Sequence, residues 1–315
     1  MPIKLKPGDV LSYSSGSHNR GPHGFRVVRE GGGILGVLNK KWPHVLAPLA
    51  GRTPIVINGY PANIGRYDFG VLVDSYLSLS TGSRALHLAH LENMPVLLLG
   101  QPLYVADLLY RHLSSNAVMP DTIVIGTGGY VMPKSLQTAL EQLLAQHCTH
   151  VAVVHGYGVA EVDAGCLIGV DRNADAQIVF YARDNFVGVD FEDEKLFLSL
   201  KNAAGETLME RFDTGDFGKP TDDGGFLIWN NDRLHPNVLK ILESWSPDEW
   251  AQRTGYLYYG RELRFQVRRG KTPKGQIEAD FHDYAKRYGH SWLFKPEWGR
   301  AKDAGLTDPL RRTIM

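Results

Sequence analysis

Through the first half of the chain, short apolar runs alternate with apolar positions at helical spacing. Pro54 to Asn58 and Pro95 to Leu99 are rich in Val, Ile and Leu, and read as strands buried on both faces. Arg84 to Glu92 and Leu103 to Leu113 carry helical patterns between and after them. The clearest unit follows: a strand over Thr122 to Ile125, a loop at Gly126-Thr127-Gly128-Gly129, and a helix opened by Pro133. Leu136, Leu140, Leu143 and Leu144 form the apolar face of that helix. Val151 to Val154 is the next strand. Strand, helix and strand in this order imply a right-handed crossover between parallel strands.

After Glu161 the texture changes. Ile178 to Tyr181, Val187 to Phe191, Leu196 to Leu200 and Gly225 to Trp229 are short strand-like runs separated by Asn, Asp and Gly. Asn202-Ala203-Ala204-Gly205 reads as a hairpin connection. Beyond His235 the pattern predicts a helix near Asn237 to Trp245 and a second helix capped by Ser246, with Asp248 and Glu249 in its first turn. Strands at Tyr256 to Tyr259 and Leu263 to Val267, then a helix around Ile277 to Tyr288, complete the expectation. The fold class expected is α/β: a mixed sheet with a parallel βαβ part and a more antiparallel second part, plus a small α+β C-terminal appendage. The expected division is a core over 1–235 and a lid-like subdomain over 236–315.

Composition narrows the picture only a little. With 315 residues, 43% hydrophobic and 22% charged, the chain has the make-up of a soluble globular protein. Formal charge is zero, which gives no global reason to expect nucleic acid or an anionic membrane as partner. Cys148 and Cys166 are the two cysteines, too few for a disulfide framework, so a cytoplasmic location is expected. Met1 to Asp9 lacks the apolar centre of a secretory signal, and the longest apolar run, Met94 to Leu99, is strand-sized.

Three segments are suited to a nucleotide. The first is Ser14-Ser15-Gly16-Ser17, followed by Arg20, Gly21 and His23: hydroxyls and close backbone amides that can bind phosphate, with Arg20 adding charge. An ordinary surface turn uses the same residues. The second pairs Gly128-Gly129-Tyr130 with His155-Gly156-Tyr157-Gly158-Val159-Ala160-Glu161, both just past the carboxyl ends of neighbouring strands. There a base can lie between the Gly-Gly backbone and Tyr157, and Glu161 can hold magnesium. The competing reading is a tight turn beside a core tyrosine. The third is Asp213-Thr214-Gly215-Asp216 with Asp223-Gly224-Gly225-Phe226 and Arg233, in which Asp216, in a tight turn, can accept both ribose hydroxyls. A polar surface hairpin would look the same.

The order of these pieces resembles the acyl-adenylate synthetase superfamily, which includes acyl-CoA ligases, peptide-synthetase adenylation domains, phenylacetate-CoA ligases and acyl-protein synthetases. The resemblance runs from about Tyr13 to Val238. It implies that Ser14, Ser15, Gly16 and Ser17 wrap the β- and γ-phosphates of ATP. Tyr157 would stack on adenine beside Gly128, Gly129, Tyr130 and Gly158, Glu161 would bind Mg2+, Asp216 would hold the ribose, and Arg233 would support sugar or phosphate. The implied reaction is attack of a small-molecule carboxylate on the α-phosphate, giving an acyl-adenylate and pyrophosphate, with a carrier or acceptor protein as a further partner.

The sequence departs from the family in four places. His23 stands where the serine loop usually has lysine, and Ala160 where a hydroxyl residue precedes the glutamate. The serine loop begins at the fourteenth residue, without the large preceding region of the family, so either a minimal or truncated form or a partner chain completing the acyl pocket is expected. Gln276 occupies the place of the lid lysine, with Lys274 two residues earlier as its substitute or as part of a solvated turn. These departures sustain an alternative, a non-catalytic nucleotide- or acyl-binding module acting through a partner. A third reading makes Cys166 an acyl-accepting nucleophile, against a small buried strand residue. The pairs His87/His90 and His147/His150 lack the carboxylates of a zinc site, and the basic run from Arg261 to Lys271 reads as a solvated strand edge.

Overall fold

The computed structural model describes residues 10–13, 25–28, 32–60, 69–75, 78–159, 162–202, 204–229, 240 and 242–253. A two-stranded antiparallel ribbon comes first, β1 (Val10–Tyr13) with β2 (Phe25–Val28). Two helices follow, α1 (Gly32–Lys41) and α2 (Pro43–Leu46). The chain then builds β3 (Ile55–Asn58), β4 (Val71–Asp74), α3 (Leu79–Leu91), β5 (Val96–Gly100), α4 (Pro102–Ser114), β6 (Thr122–Thr127), α5 (Lys134–Leu144), β7 (His150–Val159), β8 (Asp163–Gly169) and β9 (Tyr181–Ala182). These strands form one seven-stranded sheet in the order β4-β3-β5-β6-β7-β8-β9. Pairing is parallel from β4 to β7 and antiparallel from β7 to β9, so the mixed α/β sheet expected from the sequence is present.

Continuous apolar runs make these strands central because both of their faces are covered. Ile123 and Ile125 of β6 join the core shared with α3, α4 and α5, while Val124 between them joins the cluster under α1 and α2. Leu136, Ala139, Leu140 and Leu144 bury the inner face of α5; Leu143, expected on that face, is only half-buried. Pro133 is the residue before this helix and has no side chain to cap it. Instead Glu243 supplies both carboxylate oxygens, accepting from Lys134 N at 2.6 Å and Ser135 N at 2.9 Å. Leu242, Trp245 and Trp250 are buried in the same core. Ser246 and Glu249 cap α6 (Pro247–Arg253) reciprocally, as the Ser-Pro-Asp-Glu sequence predicts.

A second, four-stranded antiparallel sheet contains β10 (Val187–Glu192), β11 (Lys195–Lys201), β12 (Thr207–Pro220) and β13 (Phe226–Trp229) in sequence order. It shares an apolar core with β7 and β8, and a bridge between Phe180 and Phe226 ties the two sheets together. Four local expectations change. His155 to Val159, expected past the carboxyl end of a strand, continue β7 itself, because β8 pairs with them antiparallel. Gly126 and Thr127 belong to β6 rather than to the loop, because the parallel ladder continues to Thr127↔His155. The run Ile178 to Tyr181 is not a regular strand: its first residues make isolated bridges, and only Tyr181 and Ala182 pair in β9. Asp213-Thr214-Gly215-Asp216 is not a turn between strands but a bulge inside β12. Asp213 pairs with Phe197 and Phe217 with Lys195, so extra residues loop out, and Gly215 at φ 74° permits it.

Candidate functional site

The cleft that opens where the two sheets meet has a volume of about 540 Å3 including the part open to solvent. One wall is the end of β6 and the turn after it, Thr127 and Gly129 to Met132. The floor is the far half of β7, from His155 to Val159. Asp216 and Ile228 come from the second sheet, and Ile178 and Phe180 from the strip between. The Gly-Gly turn is forced by close packing. A Cβ on Gly128 would stand 2.7 Å from Gly156 O, and Gly129 has φ 89°, a left-handed conformation that other residues rarely adopt.

Tyr157 and Asp216 meet across this cleft. The Tyr157 hydroxyl donates to Asp216 Oδ2 at 2.5 Å, joining β7 of one sheet to β12 of the other. The bulge aims the carboxylate. Asp216 N donates to Thr214 Oγ1 at 3.1 Å, Thr214 Oγ1 donates to Leu196 O at 2.8 Å, and Gly215 N donates to Asp213 Oδ1 at 2.9 Å. Tyr157 meets Phe180 edge to face, with ring centroids 6.2 Å apart. The tyrosine is therefore both things the sequence allowed, a buried core side chain and a wall of the cleft.

His155, which the sequence reading quoted but gave no role, is 2% exposed in the floor. Burial first, and the Arg172 guanidinium second, push its pKa down to about 3, so the ring is neutral at physiological pH. Its tautomer follows from its neighbours. Gln137 Oε1 already accepts from Arg172 Nε at 3.0 Å and lies 3.2 Å from His155 Nε2, so Nε2 carries the proton and donates to the same oxygen. Nδ1 is left as an acceptor, with the Thr127 hydroxyl at 3.4 Å. No local pattern in the sequence gives this, because Gln137 and Arg172 come from α5 and the segment after β8.

Of the residues expected to handle a nucleotide, Gly129, Tyr130, Tyr157, Gly158 and Asp216 line this one cleft, and Gly128 packs directly behind it. Tyr130 has a second duty: its hydroxyl accepts from Leu103 N at 3.0 Å, anchoring the first turn of α4. Ser14, Ser15, Gly16, Ser17, Arg20, Glu161, Arg233 and Lys274 lie outside the described residues. An aromatic wall and an accepting carboxylate share one concavity, an arrangement that a nucleoside's base and sugar hydroxyls can use. Among the described residues no three His, Cys, Asp or Glu side chains converge on a metal position. Asp223 is turned to structure, accepting from the Tyr181 and Thr221 hydroxyls in the β12–β13 hairpin. Cys166 is fully buried and its thiol donates to Asp163 O, which favours the strand residue over the nucleophile. Burial pushes the Cys148 thiol up to about 12. No helix among the described residues is long and apolar enough to cross a membrane.

No family model matches the chain, and no curated protein does. Solved structures do resemble it. An acyl-CoA synthetase (AMP-forming)/AMP-acid ligase II-like protein from Dyadobacter fermentans is 13% identical over 70% of this chain and 59% of its own, at a TM-score of 0.43. The anthranilate CoA ligase AuaEII in complex with anthranoyl-AMP is 12% identical over 69% and 46%, also at 0.43. The N-terminal domain of FACL13 from Mycobacterium tuberculosis is 15% identical over 73% and 62%, at 0.38. The chain thus spans about half to three-fifths of the length of these structures. The first two carry names from the group of enzymes that the motifs resemble; each is a likeness between this chain and that structure, and assigns no activity to it.

Proposed function

We propose that the cleft takes the adenosine part of ATP and that the chain activates a carboxylic acid as its acyl-adenylate. The observation that carries this reading is the Tyr157–Asp216 hydrogen bond, which unites two of the three nucleotide-like segments beside the Gly128-Gly129 turn. In this reading the Tyr157 ring flanks the base. Asp216, oriented by Tyr157 and the bulge, accepts from the ribose hydroxyls. An oxygen of the substrate carboxylate then attacks the α-phosphorus, the bond to the β-phosphate bridging oxygen breaks, and pyrophosphate leaves. The protein's part is positioning and charge neutralisation. The serine loop is assigned to the phosphates, Arg233 to sugar or phosphate and Glu161 to Mg2+ by resemblance alone, with Arg20 adding charge near the triphosphate and Lys274 standing in for the lid lysine; transfer to a carrier or acceptor protein would be a later step.

The test is calorimetry of MgATP with wild type and Asp216→Ala, followed by pyrophosphate release across a panel of acids. Binding that the substitution weakens tenfold or more, with acid-dependent release, is the expected result. No binding by the folded wild type would end the proposal. Binding without turnover on any acid would select the second reading, a nucleotide-binding module working through a partner, which Ala160, His23 and Gln276 favour.

A further inference from the structure

The seven-stranded sheet reverses its winding between β3 and β5. The chain leaves the carboxyl end of β3 toward β4 on one side, and that of β5 toward β6 on the other. Open α/β sheets take ligands in the crevice left where two such connections diverge. Gln101 stands at this point, directly after Gly100 ends β5 and at the N-cap of α4.

Its carboxamide oxygen, Oε1, has no partner among the described residues of the fold. Gln101 is 4% exposed, and its side chain caps no amide of α4. The polar groups around the crevice are otherwise paired. The Ser75 hydroxyl donates to Asn58 O at 2.8 Å and meets the Tyr104 hydroxyl at 2.8 Å, and the Tyr130 hydroxyl accepts from Leu103 N. A buried carboxamide oxygen without a donor is costly, and folded proteins rarely leave one. The carboxamide also lies against the cleft's own wall: a Cβ on Gly129 would be 3.4 Å from Gln101 Cγ and from Nε2.

We propose that Gln101 reads the substrate, its Oε1 accepting a hydrogen bond from a hydroxyl on the carboxylic acid that the chain binds, so that the acid is a hydroxy acid. This rests on the reading of a carboxylate substrate given above. A neutral amide meets the need of a hydroxyl but does not compensate a buried ammonium, so an amino acid is the poorer fit. A site built to pair a hydroxyl discriminates strongly against the analogue that lacks it.

The experiment is direct binding to the full chain by calorimetry, without nucleotide, of matched acids: salicylate and 4-hydroxybenzoate against benzoate, lactate against propionate. The expected result is that at least one hydroxy acid binds about tenfold or more tightly than its parent, and that Gln101→Leu removes this preference. The parent acid's affinity should stay within about twofold. Gln101→Met is a second variant of similar length, with fold checked by circular dichroism, and the wild-type comparison needs neither. Equal affinities within every pair, no binding of any acid, or a preference that survives Gln101→Leu would overturn the proposal. Hydroxyl preference without pyrophosphate release would remove the adenylation reading and leave this one standing; release without preference would do the reverse.

Discussion

Tyr157 and Asp216 are 59 residues apart in sequence, yet one hydrogen bond makes them a single device. Tyr157→Phe keeps the ring and removes the donor. It is expected to weaken MgATP about fivefold, roughly 1 kcal/mol, with little change in melting temperature, both readable by calorimetry. His155 makes a separate prediction. Its folded pKa lies below the value near 6.5 of an unfolded histidine, so acid protonates the unfolded state first. Stability should therefore fall as pH drops below about 6.5, and His112, also lowered by burial, acts in the same direction. Asp121 and Asp223, whose carboxyl pKa values are depressed, add their loss only lower, below about pH 4. Urea melts between pH 7 and 4.5 should show a shallower decline for His155→Gln than for wild type; equal slopes would refute the buried neutral ring. Tyr157 was legible through the Tyr-Gly-x-x-Glu pattern, although it lies within β7 and not past its end. His155's tautomer was not, since it depends on Gln137 and Arg172, which only packing brings near.

At the scale of elements, β3, α3, β5, α4, β6, α5 and β7 follow from hydrophobic period, because central parallel strands must be apolar on both faces; α1, α2 and the half-exposed edge strand β4 were not foreseen. What the period misses is what an element receives from a distant one. The amino end of α5 has no cap of its own and takes Glu243, 109 residues away from Lys134. Glu243→Gln keeps the shape but removes the charge facing two amides and the helix dipole. A loss of about 1 kcal/mol in denaturant unfolding is expected, and no loss would show the contact to be incidental. The bulge in β12 was read as a turn for a related reason: Thr-Gly-Asp has turn chemistry, and only the pairing of β11 on either side shows the strand continuing. Gly215 has open space around its Cα, so Gly215→Ala meets backbone strain and no clash. It should cost about 1 kcal/mol of stability and weaken nucleotide binding by displacing Asp216.

For the whole molecule, the expected parallel and antiparallel halves are both present, joined by polar contacts at their shared edge. The Phe180–Phe226 bridge, the Tyr157–Asp216 bond and the Tyr181–Asp223 bond cross from one sheet to the other. A ligand held by both walls stabilises the native state by mass action, about 2.7 kcal/mol at a hundred times its Kd. Saturating MgATP should therefore raise the melting temperature of wild type by a few degrees and that of Asp216→Ala, at the same concentration, by about half as much or less; equal shifts would place the nucleotide elsewhere.

The strand β7 carries a less obvious consequence. Its residues His150 to His155 pair in parallel with β6, and His155 to Val159 pair antiparallel with β8, so His155 alone belongs to both ladders. Burial changes at the same residue, from continuous over Val153 to His155 to alternating beyond it. In a saturation mutagenesis library, the first half should therefore accept most β-branched apolar replacements. Beyond His155, tolerance should rise and fall residue by residue with the alternation, so that variation acceptable on one side of a single position becomes loss of function on the other.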